Sequence, residues 1–284
     1  SPDGSILASG SSYGTINLWR VSDWSLIRTI KGHISSIKAL SFSPNGQILA
    51  SASSDNTIKI WKVDDGNLLR IIEGFGWDFN SVTFNNHGDL LASGSDDNTL
   101  KLWRVSDGSL LKTLEGYSWN INSVAFNPDG ILVATGSNDN TIKLWRISDG
   151  FLIQKFEGHT DDVVSVSFNL NGELIVSGSK DKKVKVWNVN ERKLVRTLEG
   201  HSGTVTTVKF SPDGNIIASC SEDKTINLWR VSDGKLLGKL EGHLGSIYSI
   251  DFSPDGKFLA SGSEDSSIKI WNLLKYLALL ELKE

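Results

Sequence analysis

Tryptophan recurs in this chain at Trp19, Trp61, Trp103, Trp145, Trp187, Trp229 and Trp271, each 42 residues after the last. No other feature constrains the fold as tightly. Six of the seven follow, at a distance of 28 residues, a histidine or an aromatic residue: His33, Phe75, Tyr117, His159, His201 and His243. The same six follow an aspartate at a distance of 6 residues: Asp55, Asp97, Asp139, Asp181, Asp223 and Asp265. A fixed period of about 40 to 45 residues marks a repeat architecture, in which one repeat cannot bury its apolar face alone. What the chain builds therefore follows from what one repeat builds.

The stretch from His33 to Gly74 serves as the type repeat. Ile37 to Phe42 is β-branched and aromatic, the composition of a strand. The turn Ser43 to Gly46 follows, with Pro44 fixing φ and Gly46 supplying the positive φ needed to leave it. Gln47 to Ser51 forms a second strand, Ser54 to Asn56 a polar turn, and Thr57 to Trp61 a third strand with clean alternation. Asp64 to Gly66 signals a hairpin into a fourth strand, Asn67 to Ile72. Four short antiparallel strands make a twisted sheet with two faces to cover, so each sheet must stack on its neighbours. The first turn returns at Pro2, Pro128, Pro212 and Pro254, and in weaker form at Asn86–Gly88, where His87 reads as a solvent-facing turn residue.

Seven such sheets arranged radially close into a β-propeller, which is how repetition manages sheet edges. An open solenoid would need polar capping repeats, and neither end resembles one. The expected fold is all-β, a seven-bladed β-propeller of four-stranded antiparallel blades. The expected blades span roughly residues 1–31, 32–73, 74–115, 116–157, 158–199, 200–241 and 242–284 of one domain. Blade one is expected to lack its innermost strand, because the position matching Phe42 would fall before Ser1. It also carries Tyr13 where the others have aspartate. With no methionine anywhere, the chain is expected to be a segment of a longer protein that supplies this strand from upstream. After Trp271 the Asp-Gly turn is absent. Leu273, Tyr276, Leu277 and Leu280 fit helical spacing, whereas Leu279 and Leu282 fit the outer strand, which is the preferred expectation because blade seven otherwise has an open edge.

A formal charge of −4 and a pI near 5.8 leave no basic footprint for nucleic acid. No apolar run reaches spanning length and the N-terminus carries no signal-peptide pattern, so a soluble, cytoplasmic protein without membrane contact is expected. Cys220 is the single cysteine and excludes an internal disulfide. It stands where other repeats have Gly94, Gly136, Gly178 and Gly262, as a small buried filler.

Gly-His before the first strand, Ser or Thr in the second, Asp in the next turn and Trp ending the third resemble the WD-repeat family over essentially the whole chain. The wording is most similar to the regular WD repeats of bacterial, especially cyanobacterial, multidomain proteins. One departure is the residue after Trp, where Arg20, Lys62, Arg104, Arg146, Asn188, Arg230 and Asn272 replace the family's aspartate. The resemblance implies a hydrogen-bonded tetrad inside each complete blade. These would be His33, Ser51, Asp55 and Trp61; His159, Ser177, Asp181 and Trp187; His201, Ser219, Asp223 and Trp229; and His243, Ser261, Asp265 and Trp271. Ser, His and Asp together also invite a hydrolase reading, but a catalytic triad needs one activated serine at an open site, whereas this set repeats with the scaffold. His and Asp recur singly per blade without metal-ligand spacing, so no catalytic residue, metal or cofactor is expected.

Three tryptophans remain once the repeat is accounted for. Trp24 lies in the third turn of blade one, on the rim opposite to the others. Trp77 and Trp119 occupy the same loop of adjacent blades, those whose histidine has become Phe75 and Tyr117, and Phe79 joins them. These aromatics either repack a core or form an exposed shelf of the kind enriched in interaction hot spots. In WD-repeat proteins the top face around the channel mouth binds peptides and partner proteins. The matching positions here are Trp77, Asp78, Asn80, Asp96, Trp119, Asn120, Asn122, Lys38, Asp162, Tyr248, Glu222 and Glu264, with Asn138 and Lys180. Such a rim suits a peptide carrying an apolar anchor and a basic residue. Lys180, Lys182, Lys183 and Lys185 form a basic edge on blade five that reads as a solvated face. The expected function is a non-enzymatic protein–protein or peptide interaction scaffold, a monomeric propeller within a larger protein whose partner is a protein or peptide. The alternatives are a propeller-type enzyme with a site at the channel mouth and a purely structural spacer.

Overall fold

The computed structural model describes residues 1–74 and 76–276. Its fold class is the expected one: all-β, a seven-bladed β-propeller of antiparallel sheets, with three strands in blade one. Blades two to six are four-stranded, with strands paired in chain order. In blade two they run Ile37–Phe42, Ile48–Ser53, Thr57–Lys62 and Leu68–Glu73. Ser51 pairs with Lys59 and Leu49 with Trp61 across the middle two strands. Among the described residues no helix is long and apolar enough to cross a membrane.

One irregularity repeats and positions the rim. Between the first two strands of blade two, Ile37 pairs with Ser53 and Ala39 with Ala52, so Lys38 is the extra residue of a β-bulge. The same shift places Asn80, Asn122, Thr206 and Tyr248 in bulges of blades three, four, six and seven. A bulge leaves its residue out of the ladder and re-aims its side chain. Four residues singled out from their spacing therefore share one local geometry.

The chain falls into two compact units, Ser1–Ser137 with Trp145–Phe151, and Asn138–Leu144 with Leu152–Glu284. In the first, the cores form between successive blades. Ala50, Ile58, Ile60 and Ile72 of blade two pack on Phe79, Val82, Leu91 and Trp103 of blade three. Leu100, Leu102 and Leu114 of blade three pack on Ile121, Val124 and Trp145 of blade four. In the second unit, Val184, Val186 and Leu198 meet Val205, Val208 and Trp229. Cys220, Ile226 and Leu240 meet Ile247, Ile250 and Leu259. Cys220 is buried, and that burial pushes its thiol up to about 12. It acts as packing volume, since a buried thiol in apolar surroundings is unreactive.

Side chains on the outer strands tie neighbouring blades together on the other rim. Arg28 donates to the Asp64 carbonyl at 3.3 Å, Arg70 to Ser106 at 2.5 Å, Lys112 to Ser148 at 2.6 Å and Arg196 to Asp233 at 2.5 Å. Each cation stands nine residues after its blade's tryptophan and reaches the hairpin turn of the next blade. Trp24 lies in the matching turn of blade one, at φ 59°.

At the end of the chain residues 273–276 form a helical turn, and the described part of blade seven has three strands; the outer strand expected over Leu279 and Leu282 falls outside the described residues. Asn272 Oδ1 accepts the Lys275 amide at 3.0 Å, which caps this turn as asparagine does at a helix N-terminus. Leu273 is buried in the core of blades six and seven, and the Tyr276 hydroxyl donates to the Lys239 carbonyl at 2.7 Å. Leu277, Leu279, Leu280 and Leu282 lie outside the described residues.

Candidate functional site

The four complete sets of His, Ser, Asp and Trp form one continuous chain of hydrogen bonds each. In blade two Trp61 Nε1 donates to Ser51 Oγ at 2.8 Å, Ser51 Oγ lies 2.6 Å from His33 Nε2, and His33 Nδ1 lies 2.7 Å from Asp55 Oδ2. The two ends dictate the protons between them. Ser51 accepts from the indole and so donates to Nε2, which leaves the Nδ1 proton for the carboxylate. The same contacts, all between 2.7 and 2.9 Å, recur in blade five (Trp187, Ser177, His159, Asp181), blade six (Trp229, Ser219, His201, Asp223) and blade seven (Trp271, Ser261, His243, Asp265). Burial pushes the His33 and His159 pKa values down against the pull of their aspartates, consistent with neutral imidazoles. Burial opposes ionisation of Asp181. Hydrogen bonds from His159 and from the Lys183 and Thr160 amides outweigh it and hold the carboxyl at about 2.

Local sequence explains each position. The aspartate holds its own turn: Asp55 Oδ1 accepts the Thr57 amide at 3.1 Å and its hydroxyl at 2.5 Å, while Asn56 takes φ 64°. Glycine before histidine leaves room for the indole, since a Cβ at Gly32 would come within 2.5 Å of the Trp61 ring. Ser51, Ser177 and Ser219 are 0% exposed. Each set therefore ties together the strands of its own blade from a buried position.

Blades three and four solve the same problem differently. Phe75 lies outside the described residues. Tyr117 puts its hydroxyl on Thr135 Oγ1, which accepts the Trp145 indole proton at 3.2 Å, so a phenol meets the hydroxyl that imidazole meets elsewhere. The aspartates take lysines. Lys101 donates to Asp97 Oδ2 and, at 2.6 Å, to Thr99 Oγ1, and Lys143 donates to Asp139 Oδ2 at 2.7 Å. Both ammonium groups are buried. In blades that keep histidine the matching lysine finds another hydrogen-bond acceptor: Lys59 Nζ, 3.9 Å from Asp55 Oδ2, donates to the Gly32 carbonyl, and Lys185 to Thr197 Oγ1 at 2.9 Å. Burial works against the charge on Asp97, but the hydrogen bonds from Lys101 and Thr99 prevail and keep its pKa below the usual range. The signal was a lysine two residues before five of the seven tryptophans, on an otherwise apolar strand, and the spacing argument had passed over it.

On the rim of the first unit the aromatics divide. Phe79 is 1% exposed and packs edge-on against Trp103 at 6.2 Å between ring centres, so it belongs to the core. Trp77 and Trp119 are 55% and 61% exposed. Between them stands Asp96, whose Oδ1 accepts the Asn80 amide at 2.6 Å and the Asn120 amide at 2.7 Å. The Asp96 backbone N–H donates to the Asp78 carbonyl at 3.1 Å. Asn122 occupies the next bulge and Lys38, exposed, the preceding one. Sequence reasoning missed two neighbours on this rim, Tyr13 and Ile34, 88% and 92% exposed. Their loops touch, with the Ser36 hydroxyl donating to the Ser12 carbonyl at 3.1 Å. For Tyr13 the signal was an aromatic in a turn slot that the other repeats fill with aspartate, and for Ile34 an apolar residue directly after the histidine, a feature shared with Leu244.

The rim of the second unit is acidic. Lys180 pairs with Asp162 at 2.7 Å and Lys183 with Glu199 at 2.7 Å, so the basic edge of blade five is largely neutralised. Tyr248 is exposed, and burial together with the Glu264 and Glu222 charges pushes its hydroxyl pKa up. Asn138 belongs to this unit and flanks Asp139.

Comparison with known families gives two matches. Residues 102–273 match the family described as WDR3 first beta-propeller domain. Residues 1–20, 24–62 and 66–104 match the family described as WD domain, G-beta repeat. No curated protein matches the chain.

Proposed function

The chain belongs to the WD-repeat family of β-propellers, whose domains generally mediate protein interactions, and on that premise we propose that it is a non-enzymatic scaffold that takes a peptide or protein segment on the rim of blades three and four. One observation carries this reading: two tryptophans on matching loops of adjacent blades, Trp77 and Trp119, are more than half exposed while every tryptophan of the repeat itself is held by a hydrogen bond. Large aromatics cost free energy in water and are the residues in which interaction hot spots are enriched. Within the same unit Asp78, Asn122 and Lys38 add a mixed polar border suited to complementarity rather than to affinity, and in the second unit Asp162, Tyr248, Glu222 and Glu264 are proposed contact positions of their own. The close likeness of the repeats to one another supports a narrower reading, that the propeller is the docking end of a multidomain protein of the bacterial type, working in the cytoplasm.

Affinity capture from lysate of the source cell tests the proposal. Wild-type chain and a Trp77→Ala, Trp119→Ala double variant of equal thermal stability are compared, and captured proteins are identified and rebound as purified partners. A partner held by the first and lost by the second is the expected result. Equal retention by both would refute the site.

A further inference from the structure

Resting on the proposed binding site, we infer that the cluster between Trp77 and Trp119 reads an arginine side chain, and that Asp96 with its two asparagines is the specificity element. Asp96 Oδ1 is filled by two side-chain amides, from Asn80 and from Asn120. Only the nitrogens of those amides can donate to a carboxylate, so both asparagine oxygens point elsewhere. The Asn80 amide nitrogen also donates to the Ile121 carbonyl at 3.2 Å. The clamp thus spends donors on the carboxylate and leaves three acceptors, Asp96 Oδ2 and the Oδ1 atoms of Asn80 and Asn120, none of which takes a donor from the described residues, on partly exposed side chains. Asp96 forms no ion pair with a described lysine or arginine, unlike Asp97 beside it, which is held by Lys101.

A partly buried carboxylate fixed by two amides is a rigid negative acceptor site lacking its counter-charge. Three acceptor oxygens from a strand bulge, a turn and a loop match a planar fork of N–H donors better than they match the single point charge of an ammonium group. The flanking residues agree. Trp77 precedes Asp78, whose carbonyl accepts the Asp96 amide, and Trp119 precedes Asn120, whose side chain donates to the Asp96 carboxylate, so an exposed tryptophan lies one residue along the chain from each of two partners of Asp96. Guanidinium stacks on indole faces and ammonium does so less well. Apolar neighbours of the arginine in the bound segment would cover the remaining aromatic surface.

Degenerate heptapeptide pools with a fixed central residue test this. Pools centred on arginine, lysine, citrulline and glutamate are titrated into the wild-type chain, into Asp96→Asn, into Asp64→Asn and into the Trp77→Ala, Trp119→Ala variant, each checked for an unchanged melting curve. The arginine pool is expected to bind at least about tenfold tighter than the uncharged citrulline pool, the range of a charge-assisted hydrogen bond. Asp96→Asn should erase that difference, while Asp64→Asn, which removes an exposed charge on the other rim, should keep most of it. Pools that bind equally whatever their centre, yet are lost in the tryptophan variant, overturn the arginine inference and leave the binding site standing. Lysine binding as well as arginine overturns the guanidinium specificity. If no pool binds and the chain instead self-associates through Trp77 and Trp119, the occupant is a second copy and the inference falls. If no variant alters any interaction, the proposed site falls with it.

Discussion

At the scale of single residues, the repeated tryptophans do two jobs at once, and the expected cost of losing one follows. Trp187 is buried, packs against Phe156 at 5.6 Å and against His159 at 6.0 Å between ring centres, and donates its indole proton to Ser177. Trp187→Ala is expected to destabilise by about 3–5 kcal/mol, as for a large core truncation. Urea denaturation measures this, and a change below about 0.5 kcal/mol would show that the ring contributes no core packing. Ser177→Ala removes little volume but leaves an indole donor and an imidazole acceptor buried together, so about 1–3 kcal/mol is expected on the same assay. These roles were legible in the sequence because identical chemistry returned at identical spacing. The split between Phe79 and Trp77 was not. Both are aromatic and two residues apart, and only the start of the strand at Phe79 turns one ring into the core and leaves the other on the loop outside.

At the scale of the blade, the substitution of histidine in blades three and four is matched by a change of partner that no single position reveals. The sequence showed that the histidine was gone, but not that Lys101 and Lys143 would take over the aspartates. Matching lysines occur in blades that keep histidine, and which acceptor each finds depends on what already fills the space beside the aspartate. A double-mutant cycle on Lys101 and Asp97 checks the assignment. Asp97→Asn strands a buried ammonium and is expected to cost about 3–5 kcal/mol. Lys101→Met should cost less, because Asp97 keeps the Thr99 amide and hydroxyl. The double variant should recover most of the loss, and additive costs would deny the coupling. The helical turn after Asn272 was equally hard to read. Leucine spacing there fits both a strand and a helix, and beside the local Asn272 cap the turn is held by the Tyr276 hydroxyl on the Lys239 carbonyl, a contact between residues far apart in sequence.

At the scale of the whole molecule, the same titratable network sits in four blades, so acid should act on the fold as a whole rather than at one site. His33 and His159 have pKa values lowered by burial, below the ordinary value near 6.5. The unfolded chain therefore binds protons at these rings before the folded chain does. Stability is fully present above about pH 6.5 and declines as pH falls towards the lowered folded values. The aspartates act in the same direction at lower pH. Asp55 and Asp181 are held below the ordinary 3.8, the latter at about 2, and their contribution is lost only as pH falls through that range. Protonating an imidazole also breaks the proton order of its network, because Nε2 would then donate to a serine that is already accepting from the indole and has only a backbone carbonyl at 3.4–3.5 Å left to donate to. Melting temperature is accordingly expected to be level above pH 7, to fall between pH 6.5 and 4, and to fall again below pH 4. Differential scanning calorimetry across that range decides it. A His159→Gln variant should be less stable at neutral pH and show a shallower fall between pH 6.5 and 4, having one fewer ring to protonate. A melting temperature that stays level down to pH 4.5 would mean that the buried imidazoles take up their proton in the folded state as readily as in the unfolded chain, with the bond between Nε2 and serine then running from the imidazole to the hydroxyl while tryptophan still donates and aspartate still accepts.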